Sequence, residues 1–170
     1  QDTLFKQSDL PFDLNELPKH FTSFRKKVEA ATSPISLSTL PNGLLPQPIT
    51  LCAKKPLERI ANNGVMHGGF KSAQTHLKQY FSGLLPSTYK ITRNELDGFN
   101  NTTKFSTWLA FGCVSARQVY KAVEAYEHNQ ITNESTYWIK FELLWREYFK
   151  WHALKAGKSL FSFKGQKQTK

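Results

Sequence analysis

Between Asn133 and Gly157 the chain runs NESTYWIKFELLWREYFKWHALKAG, with no proline and no glycine before its last residue. That is room for about six helical turns, and Asn133 and Ser135 just ahead of the apolar residues can cap the first of them. At 3.6 residues per turn, Trp138, Phe141, Glu142, Trp145, Phe149 and His152 share one face, with Arg146 at its edge. Tyr137, Leu144, Tyr148 and Trp151 form a second apolar flank, which leaves Lys140, Glu147, Lys150 and Leu154 for a solvent side. A helix apolar on two sides is largely buried, so the rest of the chain must be arranged to cover it. Glu142 and Arg146 are then the unusual residues, because charges in such a setting need partners. They read either as a structural i,i+4 ion pair or as working groups on an aromatic wall.

The chain has 170 residues, enough for one good-sized core or a core plus an extended arm. Its formal charge of +10 suggests a polyanionic partner such as nucleic acid or phosphate. A solvated lysine surface is the plainer reading, and 18 of the 23 basic residues are Lys. Aromatic residues make up 14%, and rings interleaved with cations are what nucleotide and single-strand binding use. The two cysteines, Cys52 and Cys113, cannot build a disulfide framework, which points to a reducing compartment. No stretch approaches the length of a membrane-spanning apolar segment.

The opening residues have no sustained period, and their Leu-Pro and Leu-Pro-Phe units read as an arm laid over another surface. Pro18 is placed to start a short amphipathic helix with Leu17, Phe21, Phe24 and Val28 on its apolar side, ending near Ala31. Residues 32–66 hold prolines at 34, 41, 46, 48 and 56, and read as a linker or long surface excursion. His67-Gly68-Gly69 precedes a helix with Phe70, Ala73, Leu77 and Tyr80 at helical spacing, ended by Gly83. The glycine pair fits a tight turn better than a phosphate loop. Residues 86–101 show no period and read as a loop carrying Tyr89, Arg93 and Asn94. Thr102-Thr103-Lys104-Phe105-Ser106 then brings three hydroxyls and a lysine to a helix start, where an anion could bind; otherwise Ser106 is only an N-cap and the threonines turn residues. Ser115 with Gln118 makes a capping box for a helix through about His128, with Val119, Ala122, Val123 and Tyr126 as its buried stripe. The basic tail after Gly157 is as readily frayed as ordered. No strand pattern appears, so the expected fold class is all-α.

No metal-ligand spacing, nucleophile elbow or Gly-rich nucleotide loop is present. Chemistry on such a chain would be carried by a cofactor, held by the segment 102–106 and the face of the long helix.

Those two stretches, TTKFSTWLAFGCVSARQVYKAVEAYE and NESTYWIKFELLWREYFKWHALKAGKSLF, resemble the FAD-binding region of the photolyase/cryptochrome family, most closely its DASH-type cryptochromes. Upstream, TLFKQSDLPFDLNELPKHFTSFRKKVE is similar to the segment with which DASH members leave their N-terminal antenna-binding α/β domain. The resemblance implies an interdomain connector over 1–66 and the N-terminal part of a helical FAD-binding domain over 67–170. It places the α/β domain before Gln1, and the rest of the pocket with its tryptophan relay after Lys170. It implies that Thr102, Thr103, Lys104, Phe105 and Ser106 wrap the FAD diphosphate, which favours the anion-binding reading of that segment. Tyr89 matches a tyrosine at the flavin and Arg93 an arginine facing DNA. Glu142 matches the glutamate that bonds the damaged pyrimidines, Trp145 the tryptophan against which the lesion packs, and Arg146 an arginine between flavin and substrate. Phe149, on the same face, joins the residues expected at DNA. Glu142 and Arg146 are thus the expected catalytic pair.

Lys104 replaces the arginine of many photolyases, which fits DASH usage. Thr107 stands where a proline is common, and Trp138 lies four residues before Glu142 where other photolyases have their aromatic three before. The expected function is part of a blue-light-driven, FAD-dependent photolyase that repairs cyclobutane pyrimidine dimers in single-stranded DNA, with a folate antenna bound by a domain outside this chain. The expected compartment, for a bacterial source, is the cytoplasm. The alternatives are a cryptochrome photoreceptor without repair activity and a flavin-free helical nucleic-acid-binding module.

Overall fold

The computed structural model describes residues 3–31 and 66–163; the Pro-rich connector reading falls on residues outside these, apart from Met66. The described residues form helices and 3-10 turns and no strand, so the chain is all-α as expected. In order, α1 is Phe21–Ala31, α2 Phe70–Ser82, α3 Leu85–Thr92, α4 Ser106–Ala110, α5 Ala116–Asn129 and α6 Glu134–Ala156.

The long helix is α6. The Asn133 side chain accepts the Thr136 N–H at 3.0 Å while Thr136 Oγ1 accepts the Asn133 N–H at 3.2 Å, and Gly157 ends the helix at a φ of +52°, a value that favours glycine. Ser135 does not cap it; its hydroxyl accepts the Lys90 N–H of α3 at 3.1 Å. The α5 capping box between Ser115 and Gln118 forms in both directions. Gly69 caps the start of α2 at a φ of +91°, so the turn reading of the glycine pair rests on Gly69. Pro18 does not start α1, which begins at Phe21; instead the Pro18 carbonyl meets His152 Nε2 at 3.1 Å.

The stretch read as a loop over 86–101 opens as a helix. Pro86 sits in the first turn of α3, where its missing N–H would have had no partner, and Pro86 and Tyr89 are buried three residues apart. One buried pair in eight residues is too short a repeat to register as a period.

Helices α1, α3 and α5 pack directly on α6, and α2 packs on α3 and α5. The α1 helix lies along it with Phe21 stacked on Trp145, ring centroids 3.7 Å apart, and Tyr137 donating to Glu29 at 2.8 Å. Burial of Phe21, Phe24 and Val28 is worth about 1.5–3 kcal/mol per side chain. The arm before α1 is held through its backbone: Tyr148 donates to the Lys19 carbonyl at 2.6 Å and Lys155 to that of Asn15 at 2.7 Å. On another side α5 contributes Glu127, which accepts from Thr136 Oγ1 at 2.8 Å and also pairs with Lys140.

The largest departure from the helical projection is Glu147. Placed on the solvent side by periodicity, it is 0% exposed, because the arm covers that side. Its carboxylate accepts the Leu4 N–H at 2.8 Å and the Trp151 indole N–H at 3.0 Å, with a further bond from the Phe5 backbone. The carbonyl of the same Thr3–Leu4 peptide accepts Arg117 Nε at 2.9 Å, and Arg117 is itself buried. One peptide group is therefore clamped between a buried cation of α5 and a buried anion of α6.

Glu147→Ala would leave these donors buried without an acceptor, and we expect a loss of about 3–5 kcal/mol in denaturant unfolding. Burial raises the Glu147 pKa against the opposing hydrogen bonds and Arg146. The folded state then holds the proton more tightly than the unfolded one, so this contribution is present below the ordinary carboxylate pKa and is lost as pH rises through the raised value. The stability deficit of Glu147→Gln should accordingly narrow as pH rises above the ordinary carboxylate range, as read from melting temperatures of both proteins.

Candidate functional site

Beside α6, on a side that adjoins the one covered by the arm, is a cavity of about 720 Å³. Tyr89 of α3, the segment Thr102–Ser106, Leu109 and Ala110 of α4, Val119 of α5, and Ile139, Glu142, Leu143, Arg146 and Lys150 of α6 line it. Residues far apart in sequence meet here because α3 and α5 pack against α6 and the segment leading into α4 lines the same cavity. The floor is apolar: Leu109, Val119, Ile139 and Leu143 are buried. The polar groups converge from the opposite wall and from α6.

The hydroxyl-rich segment has an unusual backbone. Lys104 has a φ of +55°, in the left-handed region that non-glycine residues rarely enter and that is often held at binding sites. Phe105 occupies the N-cap position of α4 without a side-chain cap, and Ser106 is the first helical residue, so the alternative in which Ser106 is an N-cap does not hold. The segment is fixed from behind by His76 of α2, whose Nε2 lies 2.9 Å from the Thr103 carbonyl. Because a carbonyl only accepts, that nitrogen carries the proton. The imidazole also packs on Trp108, with centroids 4.8 Å apart, and edge-on to Phe105 at 5.2 Å. His76 escapes the helical pattern because it sits beside the apolar stripe of α2 rather than on it.

Glu142 does not pair with Arg146 as the i,i+4 alternative has it. Its carboxylate meets Arg93, at the C-terminal end of α3, and the Arg93 guanidinium lies over the Trp138 ring, 4.6 Å from its centroid. Both partners keep solvent contact, so the pair by itself adds little stability. Trp138 is taken up by this cation.

Burial and then the Glu142 charge raise the pKa of the Tyr89 phenol, with Arg93 opposing. Burial lowers that of Arg146, with Glu147 opposing, and also that of Lys150. Tyr89 is therefore a neutral donor and acceptor near neutral pH.

Of the residues singled out by sequence, Tyr89, Thr102, Thr103, Lys104, Phe105, Ser106, Glu142 and Arg146 share the cavity. Arg93, Trp145 and Phe149 do not line it. Trp145 has Phe21 against one face and is stacked with the exposed Phe149 at 5.5 Å between centroids. Lys150, assigned to solvent by periodicity, lines the cavity and is half-buried. Among the described residues no group of three His, Cys, Asp or Glu could hold a metal ion, and no helix is long and apolar enough to cross a membrane.

No family model matches the chain. A cryptochrome DASH of Idiomarina loihiensis is 50% identical over 169 residues, 96% of this chain and 37% of that protein. The chloroplastic/mitochondrial cryptochrome DASH of Arabidopsis thaliana is 39% identical over 173 residues, 96% of this chain and 30% of that one. A crystal structure of a Synechocystis cryptochrome aligns with a TM-score of 0.76 at 36% identity, over 96% of this chain and 36% of that chain. The chain belongs to the photolyase/cryptochrome family. Its relatives are of the DASH type, and it spans about a third of the length of those it matches.

A ligand that suits the donor set would carry a flat apolar part for the floor and an anionic part for Lys104, Arg146 and the hydroxyls; FAD has both. His76→Phe would keep the ring packing and lose the bond to Thr103, costing about 1 kcal/mol. The expected signature is faster hydrogen exchange across Thr102–Ser106 than in the unaltered protein, with α5 unchanged.

Proposed function

We propose that this chain supplies one wall of the FAD site of a DASH-type blue-light flavoprotein whose full-length form repairs cyclobutane pyrimidine dimers in single-stranded DNA. The observation that carries this reading is the meeting of Thr102–Ser106, Tyr89, Glu142 and Arg146 around one cavity. Bound flavin would supply light-driven electron transfer, and the residues of this chain hold it and present the substrate. Thr102, Thr103 and Ser106 offer hydroxyls, and Lys104 and Arg146 offer charge, to the diphosphate. Tyr89, Phe105 and the apolar floor exclude water from the ring. Glu142 exchanges Arg93 for the edges of pyrimidines taken out of the stack, where a carboxyl group stabilises charge that develops on the bases. Arg93 turns to a backbone phosphate, and Trp145 with Phe149 gives the lesion an aromatic surface. The folate antenna belongs to a domain for which no residue here is assigned.

A photoreceptor without repair activity is the second reading. It is favoured by the Phe21 ring against Trp145 at 3.7 Å and by the engagement of Glu142 with Arg93, both of which occupy groups that a lesion would need. Illumination of the full-length protein with single-stranded oligonucleotide containing a dimer separates the two. Under the repair reading, Glu142→Ala lowers repair yield by about tenfold or more, the worth of a hydrogen bond to a charged group, while flavin absorbance is retained; an unchanged yield removes Glu142 from that role. The 170-residue chain alone should retain little or no FAD, since it offers only one wall, and a stoichiometric yellow preparation would contradict that expectation.

A further inference from the structure

The hydrogen bond from His76 fixes which way one peptide group faces. His76 Nε2 lies 2.9 Å from the Thr103 carbonyl, and His76 lies outside the cavity lining, whereas Thr103 and Lys104 are part of it. In a trans peptide the C=O and the following N–H point in opposite directions, and none of the described peptides is cis. With the Thr103 carbonyl turned back to His76, the Lys104 N–H is turned the other way, to the cavity side. Among the described residues no acceptor meets that N–H. Lys104, in the left-handed region, is followed by Phe105 at φ −71° and ψ −17°. Residues of opposite hand in succession bring their N–H groups to one concave side, where an anion is held.

This peptide has a second orientation open to it. Turning it over by about 180° leaves the Thr103 and Lys104 side chains nearly in place and takes the Lys104 φ from +55° to roughly −125°, an ordinary extended value. The flipped form is free of the cost that a left-handed lysine carries. It also puts a carbonyl oxygen where an anion would sit. The strained form therefore needs a contact that holds it, and the bond from His76 is that contact at the Thr103 carbonyl. The imidazole is itself fixed by three rings, Trp108 at 4.8 Å, Phe105 at 5.2 Å and Phe99 at 6.1 Å between centroids, so its nitrogen cannot follow a carbonyl that turns away.

We propose that His76 is a positioning residue for ligand binding: it locks the Thr103–Lys104 peptide with its N–H toward the cavity, so that Thr102–Ser106 receives an anion rather than opposing one. The inference rests on the reading of that segment as the holder of the diphosphate. Apparent affinity falls in proportion to the fraction of molecules in the binding-competent form. His76 thus acts on affinity without touching the ligand.

The test uses the full-length protein stripped of flavin and titrated with FAD and, separately, with inorganic pyrophosphate, which reads the same anion holder without a flavin ring. His76→Phe keeps a ring and removes the donor, and His76→Gln keeps an N–H at similar reach. His76→Phe is also made together with Lys104→Gly, where a left-handed φ costs little. His76→Phe should bind both ligands about tenfold more weakly, the scale set by the cost of a left-handed residue, with His76→Gln within about threefold of the unaltered protein. On Lys104→Gly the loss caused by His76→Phe should shrink to about threefold or less, because the strain that His76 opposes is gone. Ratios within each background are compared, so the missing lysine charge drops out. Equal affinity of His76→Phe and the unaltered protein overturns the proposal. So does an equal loss in His76→Gln, since the donor is then not what acts. An equal loss with and without Lys104→Gly overturns it too, because that is what ring packing alone would give. If the unaltered protein takes up no FAD, the flavin reading falls, and pyrophosphate binding that depends on His76 keeps the residue in its role; if neither ligand binds, both fall. Thermal melting of the stripped proteins keeps folding apart from binding, and His76→Met replaces the Phe variant should that variant melt early.

Discussion

Glu147 sits near the middle of α6 with no solvent contact, and the orientation of the whole bundle follows from how that charge is satisfied. Taking a carboxylate out of water costs several kcal/mol even after relaxation, so the site exists only if donors surround it. Here they are backbone amides of Leu4 and Phe5 and the Trp151 indole, none of which depends on the arm's side chains. Arg117 holds the other end of the Thr3–Leu4 peptide, so α5 and α6 are tied through a strand of chain more than a hundred positions away in sequence. With the arm seated, α6 cannot rotate about its axis without uncovering the charge.

Fixing the rotation of α6 also aims the side that adjoins the covered one. Neighbours in a helix are about 100° apart, so Arg146, next to Glu147, points where the arm does not. Glu142 and Lys150 follow it one turn to either side. The cavity thus arises on the side of α6 that the arm and α1 leave for α3, α4 and α5. Its remaining wall is set by His76, which holds the Thr103 carbonyl, and by the left-handed Lys104. Structural and cavity-facing charges lie side by side on a single helix: Glu147 stabilises the position from which Arg146 and Lys150 reach the cavity.

Much of this was legible in the chain. The α6 span and its Asn133 cap, the α5 capping box, the α1 stripe, the α2 stripe apart from the exposed Phe70, and the all-α class follow from period and cap residues, which act within a few positions. The cavity residues at 89, 102–106, 142 and 146 came from resemblance, because nothing local makes Tyr89 and Arg146 neighbours. What stayed hidden was non-local. Glu147 and Lys150 share a helical side with Lys140, and a projection cannot know that an arm from the start of the chain will cover one and a cavity enclose another. Pro86 concealed α3 for the opposite reason: proline marks a helix start as well as a break, and eight residues carry too few apolar positions to decide between them.

The aromatic side of α6 answers to two demands that conflict. Packing favours close ring contact, and Phe21 against Trp145 satisfies it on one face. Ligand presentation needs rings and charges free to change partners, and three groups are of that kind: Phe149 is exposed, and Arg93 and Glu142 are joined by a partly solvated pair. Such a pair is weak enough to be exchanged for a phosphate and a base edge without a large loss of stability. The buried clamp at Glu147 is not. The helix therefore grades along and around its length from contacts that must not open to contacts that can. In the proposed reading, that gradient keeps the arm fixed on one side of the helix while a polyanion is admitted and released on another.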